Sequence, residues 1–197
     1  METKKANKNP TLSFFAIVLV IAVFMAIGTQ LFKNRSTNLI GSKAPPIRID
    51  EWITPQPPRQ SDLNGQVYVL EFWATWCPPC LQSISHMIEL ADKYKDKAVP
   101  FIALSTDSSL EPVKKMVKDK GINYYVGMDN GLSEKYSVRG IPAAFIISRS
   151  GQIVWQGHPM SAGFETAIVN ALNAPPPKPG TNTTQKSKGQ SQDGGGN

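Results

Sequence analysis

Cys77 and Cys80 are the only cysteines in the chain, and they stand two residues apart in EFWATWCPPC (71–80), with proline at both positions between them. Disulfide exchange needs an attacking thiolate and a second thiol near enough to resolve the mixed disulfide. A C-x-x-C at the start of a helix meets both needs. The helix N-terminus presents unpaired N–H groups and a partial positive charge, which favour the thiolate. The outer residue, Cys77, is expected to attack, and Cys80, one turn in, to resolve. Pro78 and Pro79 fit a first helical turn, where no N–H needs an intrahelical partner. They also remove two N–H donors that could have faced the Cys77 sulfur. The thiolate is then less stabilised than in a strongly oxidising pair, and the pair is expected to be fairly reducing.

Other chemistries use the same residue types. A structural disulfide across so short a gap removes little chain entropy. Half a zinc site needs further ligands, and His86 and His158 are the only histidines. On a helical wheel His86 falls opposite the apolar face, which suits a surface residue. A copper-chaperone site wants a wider cysteine spacing and a histidine. A peroxidatic cysteine wants a threonine three residues before it, and Thr75 is two before Cys77.

The elements that must position these thiols follow an α/β pattern. Residues 67–73, VYVLEFW, are apolar apart from Glu71, as in a strand buried on both faces. From Cys77 onward Cys80, Leu81, Ile84, Met87, Ile88 and Ala91 recur at three and four, the period of an amphipathic helix. Strands are expected at 98–104, 123–127, 143–148 and 152–156, the last two joined at Ser150-Gly151. A helix follows Ser109, with Val113, Met116 and Val117 on its apolar face and Gly121 as its stop. Further helices are expected at 131–137 and 161–173. Alternating strands and helices ending in a hairpin give a mixed β-sheet flanked by helices.

The ends of the chain differ in kind. Residues 14–28, FFAIVLVIAVFMAIG, carry no charge. With their neighbours they reach roughly the twenty residues that span a bilayer as a helix. The expected organisation is a cytoplasmic N-terminus (1–11), a transmembrane anchor or signal sequence (12–32) and a linker (33–40). A domain (41–174) and a disordered tail (175–197) follow. Lys4, Lys5 and Lys8 before the apolar run, against Lys33 and Arg35 after it, place the domain on the extracytoplasmic side. The tail is rich in Pro, Gly, Ser, Gln and Lys and has no aromatic residue. The formal charge of +6 sits in these ends. Lys4, Lys5, Lys8, Lys33 and Arg35 oppose only Glu2, and Lys178, Lys186 and Lys188 oppose only Asp193. The domain between is neutral, unlike a nucleic-acid binder, which concentrates basic charge on its folded part.

EFWATWCPPC resembles the active-site segment of thioredoxin-fold proteins. Joined to an N-terminal anchor, it is similar to the TlpA/ResA-like branch. A second segment, SVRGIPAAFIISRSGQIVWQGHP (137–159), resembles that family's G-[VI]-P-x-x-F strand and following G-x-I-V-x-x-G. Residues 105–127 resemble the branch's extra helix–strand insertion. The resemblance implies a thioredoxin-like fold and extracytoplasmic thiol–disulfide exchange without cofactor or metal, in the direction of reducing partner disulfides; the alternatives are a disulfide oxidase or isomerase on the same fold, or a non-catalytic tethered binding module. It also implies disulfide-bearing client proteins, apocytochrome c among them, and a membrane electron donor that recycles the oxidised pair. Pro142 matches the family's cis-proline, which leaves the backbone of Ile141 free to pair with a substrate strand. Glu71 matches a buried acid behind the second cysteine, able to take the proton of Cys80. Trp76 is expected on the docking rim and Trp73 in the core. Where some members carry an acid three residues after the second cysteine, this chain has Ser83.

Overall fold

The structure is a computed structural model that describes residues 38–175. The expected anchor and the expected tail beyond residue 175 lie outside the described residues. Among the described residues no helix is long and apolar enough to cross a membrane.

The central strand, β1 (Tyr68–Trp73), is buried along its whole length. Successive side chains of a strand point to opposite faces. Val69 and Trp73 therefore join one core, with Ile84, Met87 and Leu90 of helix α2 (Pro78–Lys93) and Phe164, Ile168 and Ala171 of helix α5 (Phe164–Asn173). Tyr68, Leu70 and Phe72 join the other, with Ile47, Leu63 of the short helix α1 (Gln60–Leu63), and Leu132 of α4 (Leu132–Lys135). Glu71 shares the parity of Val69 and Trp73, so its carboxyl enters the core on the side of α2.

The sheet contains five strands. Parallel to β1 runs β2 (Phe101–Ser105), and parallel to β2 runs β3 (Tyr125–Met128), reached through helix α3 (Leu110–Lys120). On the other side β4 (Ala143–Ile147) is antiparallel to β1, and β5 (Ile153–Gly157) is antiparallel to β4. The order is β3-β2-β1-β4-β5. All the expected strands are present, with shifted ends. β2 begins at Phe101 rather than 98 because Lys95–Lys97 form a 3-10 turn that closes on Ala98 in the left-handed region. α3 stops where expected: Gly121 takes φ +63°, and Ile122 N–H donates to Val117 O at 3.0 Å, a Schellman ending. α5 starts at Phe164, three residues later than expected, because Ser161–Gly163 form a turn.

The chain before β1 pairs with both outer edges of the sheet, along β3 and at the start of β5, which hinders strand addition by other chains there. Gly41 and Ala44 donate to Ile153 and Gly151 carbonyls at 2.8 Å beside β5. Ile53 donates to Val126 O at 2.9 Å, and Met128 donates to Glu51 O at 2.9 Å, beside β3. Gly127 permits that second contact, since a Cβ there would lie 3.0 Å from Ile49 Cγ2 and Trp52 Cε3. Leu39, expected in the linker, already belongs to the domain: it packs on the second core, and its N–H donates to Gln156 Oε1 at 2.7 Å.

Candidate active site

β1 leaves the sheet at Trp73, and four residues later Cys77 caps α2. Cys77 has extended backbone angles and its carbonyl accepts the first helical hydrogen bond, from Leu81 N–H at 3.1 Å. Cys77 and Cys80 form a disulfide across the first turn, with Cα atoms 5.3 Å apart. The Cys77 sulfur accepts the Cys80 N–H at 3.3 Å. An N-cap side chain receives N–H groups from the second and third helical residues. The second is Pro79, so Cys80 supplies the donor alone. No acidic residue stands in the first turn to oppose a thiolate.

The Ile141–Pro142 peptide bond is cis, as the resemblance implied. The turn it makes brings the Ile141 carbonyl oxygen to 3.7 Å from Cys77 Sγ. The sulfurs lie under this turn: Cys77 is 4% exposed and Cys80 1%. Cys77, expected to be the exposed member of the pair, is buried like Cys80 in this disulfide-bonded form. Trp76 is 66% exposed beside them, whereas Trp73 is 2% exposed, with its indole N–H buried and unpaired. His86, expected on the open surface, is half-buried with its ring against Phe164.

Glu71 is buried on β1 between two alanines, Ala103 of β2 and Ala144 of β4. Their small side chains leave room for a carboxyl and offer it no polar partner. Burial pushes its pKa up to about 8, and a hydrogen bond from Ser83 moderates the rise. An acid of that kind is largely neutral at pH 7 and can exchange a proton with a nearby thiol. The hydroxyl oxygen of Ser83, three residues beyond Cys80, also lies 2.8 Å from the Cys80 carbonyl oxygen, a second acceptor for the same hydrogen.

A second carboxylate, not singled out from sequence, holds the loop that carries the cysteines. Asp107 follows β2 and accepts the Thr75 N–H at 2.9 Å and the Thr75 hydroxyl at 2.6 Å. Ser105 donates to it at 2.5 Å, and Thr106 N–H donates to Trp73 O at 2.8 Å. The exits of two neighbouring strands are thus tied together just before Cys77. The sequence signal was a short polar run, Ser105-Thr106-Asp107, directly after an apolar strand. The signal for Ser83 was a polar residue on the buried stripe of α2.

The structure brings Cys77, Cys80, Glu71, Ile141 and Pro142 to one end of the sheet, with Trp76 exposed beside them. A thioredoxin-like sheet with a redox-capable sulfur pair at a helix tip defines a thiol–disulfide oxidoreductase. Residues 39–172 match the Redoxin family. The chain is 32% identical over 148 residues to the thiol-disulfide oxidoreductase ResA of Bacillus anthracis, covering 72% of this chain and 85% of that one. With ResA of Oceanobacillus iheyensis it shares 30% identity over 157 residues, covering 77% and 82%. Among solved structures it is similar to a thiol:disulfide interchange protein of the thioredoxin family from Chlorobium tepidum. That match has a TM-score of 0.59 at 27% identity and covers 66% of this chain and 96% of that one. The chain belongs to the Redoxin family, in its ResA/TlpA-like group of thiol–disulfide oxidoreductases.

Proposed function

We propose that the protein is a membrane-tethered reductase of protein disulfides, with its domain on the extracytoplasmic side. The observation that carries the redox direction is the Cys77 sulfur at the tip of α2 receiving one N–H where a C-x-x-C without Pro79 could offer two. A thiolate held by fewer donors is the better reductant. The apolar run within 12–32 supports the tether, and the lysines before it support the orientation.

The Cys77 thiolate attacks one sulfur of a client disulfide, and the client's other sulfur leaves as a thiolate and takes a proton. Cys80 then gives its proton to Glu71 and attacks Cys77 Sγ. The bond to the client breaks, and Cys77–Cys80 closes. Two electrons have passed to the client, and a membrane electron donor returns two to the protein. Trp76 offers an apolar docking rim. Among the described residues nothing accepts the Ile141 N–H, so this backbone is free to pair with a client strand beside the sulfurs.

Two measurements test the proposal. Equilibration with glutathione should give a reducing potential, and a value as oxidising as that of a strong disulfide oxidase overturns the direction. Cys80→Ser in the full-length protein should accumulate mixed disulfides at Cys77 with client proteins. Absence of such adducts, with Cys77 still alkylated, rules out client reduction.

A further inference from the structure

Ser83 joins the buried acid to the helix of the resolving cysteine. Its hydroxyl oxygen stands 3.3 Å from Glu71 Oε1 and 2.8 Å from the Cys80 carbonyl oxygen, and all three residues are buried. A serine hydroxyl has one hydrogen to donate and lone pairs to accept. It cannot serve both oxygens as a donor at once. With Glu71 ionised, either the carboxylate or the Cys80 carbonyl goes without that hydrogen. With Glu71 protonated the chain closes: the carboxyl O–H donates to Ser83 Oγ, and the Ser83 hydroxyl donates to the Cys80 carbonyl. Hydrogen count alone therefore ties the state of the acid to the direction of one hydroxyl.

We propose that Ser83 is a positioning residue for the resolving step, holding the Glu71 carboxyl and turning its hydroxyl between Glu71 and the Cys80 carbonyl as the acid loses and gains a proton. The proposal rests on the reading of Glu71 as the acceptor of the Cys80 proton. Resolution draws on the ionised fraction of Glu71, a minority at pH 7, in which the carboxylate draws the Ser83 hydroxyl to itself. Cys80 then loses its proton to Glu71, and its thiolate attacks Cys77 Sγ. The client sulfur leaves as a thiolate and is protonated from solvent. Glu71 ends neutral, the state in which every hydrogen of the Glu71–Ser83–Cys80 chain has an acceptor, and the disulfide is closed. The surroundings leave this hydroxyl without a rival. The neighbouring strands β2 and β4 present Ala103 and Ala144. Helix α2 presents Ser83 and the two cysteines, and the chain before β3 presents Tyr124, a buried phenol that stays neutral. No charged side chain pairs with Glu71 among the described residues.

Two readouts test it. In the oxidised protein neither thiol titrates, so carbon NMR of the Glu71 carboxyl reports the acid alone. Ser83→Ala should move its midpoint to higher pH, because the hydrogen bond that favours the charged form is gone. Ser83→Thr should keep the wild-type midpoint, and Ser83→Gly is a second variant without the hydroxyl. In a single turnover with Ellman's disulfide, the first thiolate reports attack by Cys77 and the second reports resolution. Ser83→Ala should leave the first phase unchanged and slow the second roughly fivefold at pH 7, with the gap closing in alkali. A purely structural serine would alter stability and leave the midpoint in place, and that result overturns the proposal. If Glu71→Gln slows the second phase while Ser83→Ala does not, Glu71 keeps its role and Ser83 loses its own. If Glu71→Gln resolves at the wild-type rate, the role of Glu71 falls as well.

Discussion

Asp107 grips Thr75 twice, accepting its N–H at 2.9 Å and its hydroxyl at 2.6 Å. Thr75 stands two residues before Cys77, so this grip sets the path of the chain into the helix tip. Hydrogen bonds to a charged acceptor are each worth about 1.5–3 kcal/mol. Asp107→Ala should therefore destabilise the protein by about 2–3 kcal/mol in urea unfolding and slow attack by Cys77. Asp107→Asn keeps one acceptor and should fall between. A loss under about 0.5 kcal/mol for the alanine variant, the range of ordinary surface changes, would show that the loop holds itself without the clamp.

The fold was legible because its elements are strongly periodic. β1 reads as a continuous apolar run, and α2 repeats apolar residues at three and four, so both lie within a residue or two of their expected places. The cysteines were legible as a lone sulfur pair at a helix start, whereas the cis bond at Pro142 and the burial of Glu71 were legible only through the family resemblance. Asp107 and Ser83 were not. Their roles depend on which strand lies beside β1 and which side of α2 faces it, and those are facts of tertiary packing. The segment before β1 was equally opaque. Its covering of both sheet edges uses backbone groups, which leave no mark on side-chain pattern.

Glu71 makes stability depend on pH. Its pKa is raised from 4.5 to about 8 in the folded oxidised protein. Between those values the folded state binds the proton more tightly than the unfolded state, so stability falls as pH rises. The contribution is fully present below pH 4.5 and lost as pH passes about 8. The full span amounts to on the order of 5 kcal/mol. Glu71→Gln should remove this slope, leaving the variant more stable than wild type at about pH 9 and closer to it at about pH 5. Parallel slopes in urea unfolding across that range would contradict the burial of a titrating acid.

Gly127 lies where the chain around Ile49 and Trp52 crosses the β3 edge. A Cβ would meet Ile49 Cγ2 and Trp52 Cε3 at 3.0 Å and the Glu51 carbonyl at 3.2 Å. Overpacking of this kind costs about 1–3 kcal/mol. Gly127→Ala should lower stability by that amount and loosen the edge cover, and sedimentation should then show self-association through the exposed strand. An unaltered stability would mean that residues 49–52 yield without loss.

Trp76 and Trp73 flank one short loop and should separate by readout. Trp76 is 66% exposed, so Trp76→Ala should change stability by less than about 0.5 kcal/mol. A tryptophan at the centre of a docking rim contributes about 2 kcal/mol or more to partner binding. The variant should therefore raise KM for insulin reduction by about tenfold or more, with kcat little changed. Trp73→Ala, at a 2% exposed core position, should instead lower stability by about 3–5 kcal/mol. Equal KM values for wild type and Trp76→Ala would remove Trp76 from the client surface.

Pro79 gives the most direct control over the redox direction. Cys77 caps α2, and Cys80, the third helical residue, supplies the N–H at 3.3 Å from its sulfur. The second helical residue would supply another, but Pro79 has no N–H to give. Pro79→Ala restores that donor without touching the cysteines or Glu71. A further hydrogen bond to a thiolate should stabilise it by about 1 kcal/mol. Disulfide potentials change by about 30 mV for about 1.4 kcal/mol, so the variant should be more oxidising by about 20 mV. Its reduced form should also react faster with iodoacetamide below neutral pH, where a larger fraction of Cys77 is ionised. Pro78→Ala restores a donor at the first helical position, which N-cap side chains do not use, and should move both readouts much less. If Pro79→Ala leaves the potential unchanged, or makes the pair more reducing, the missing N–H is not what sets the direction of electron flow.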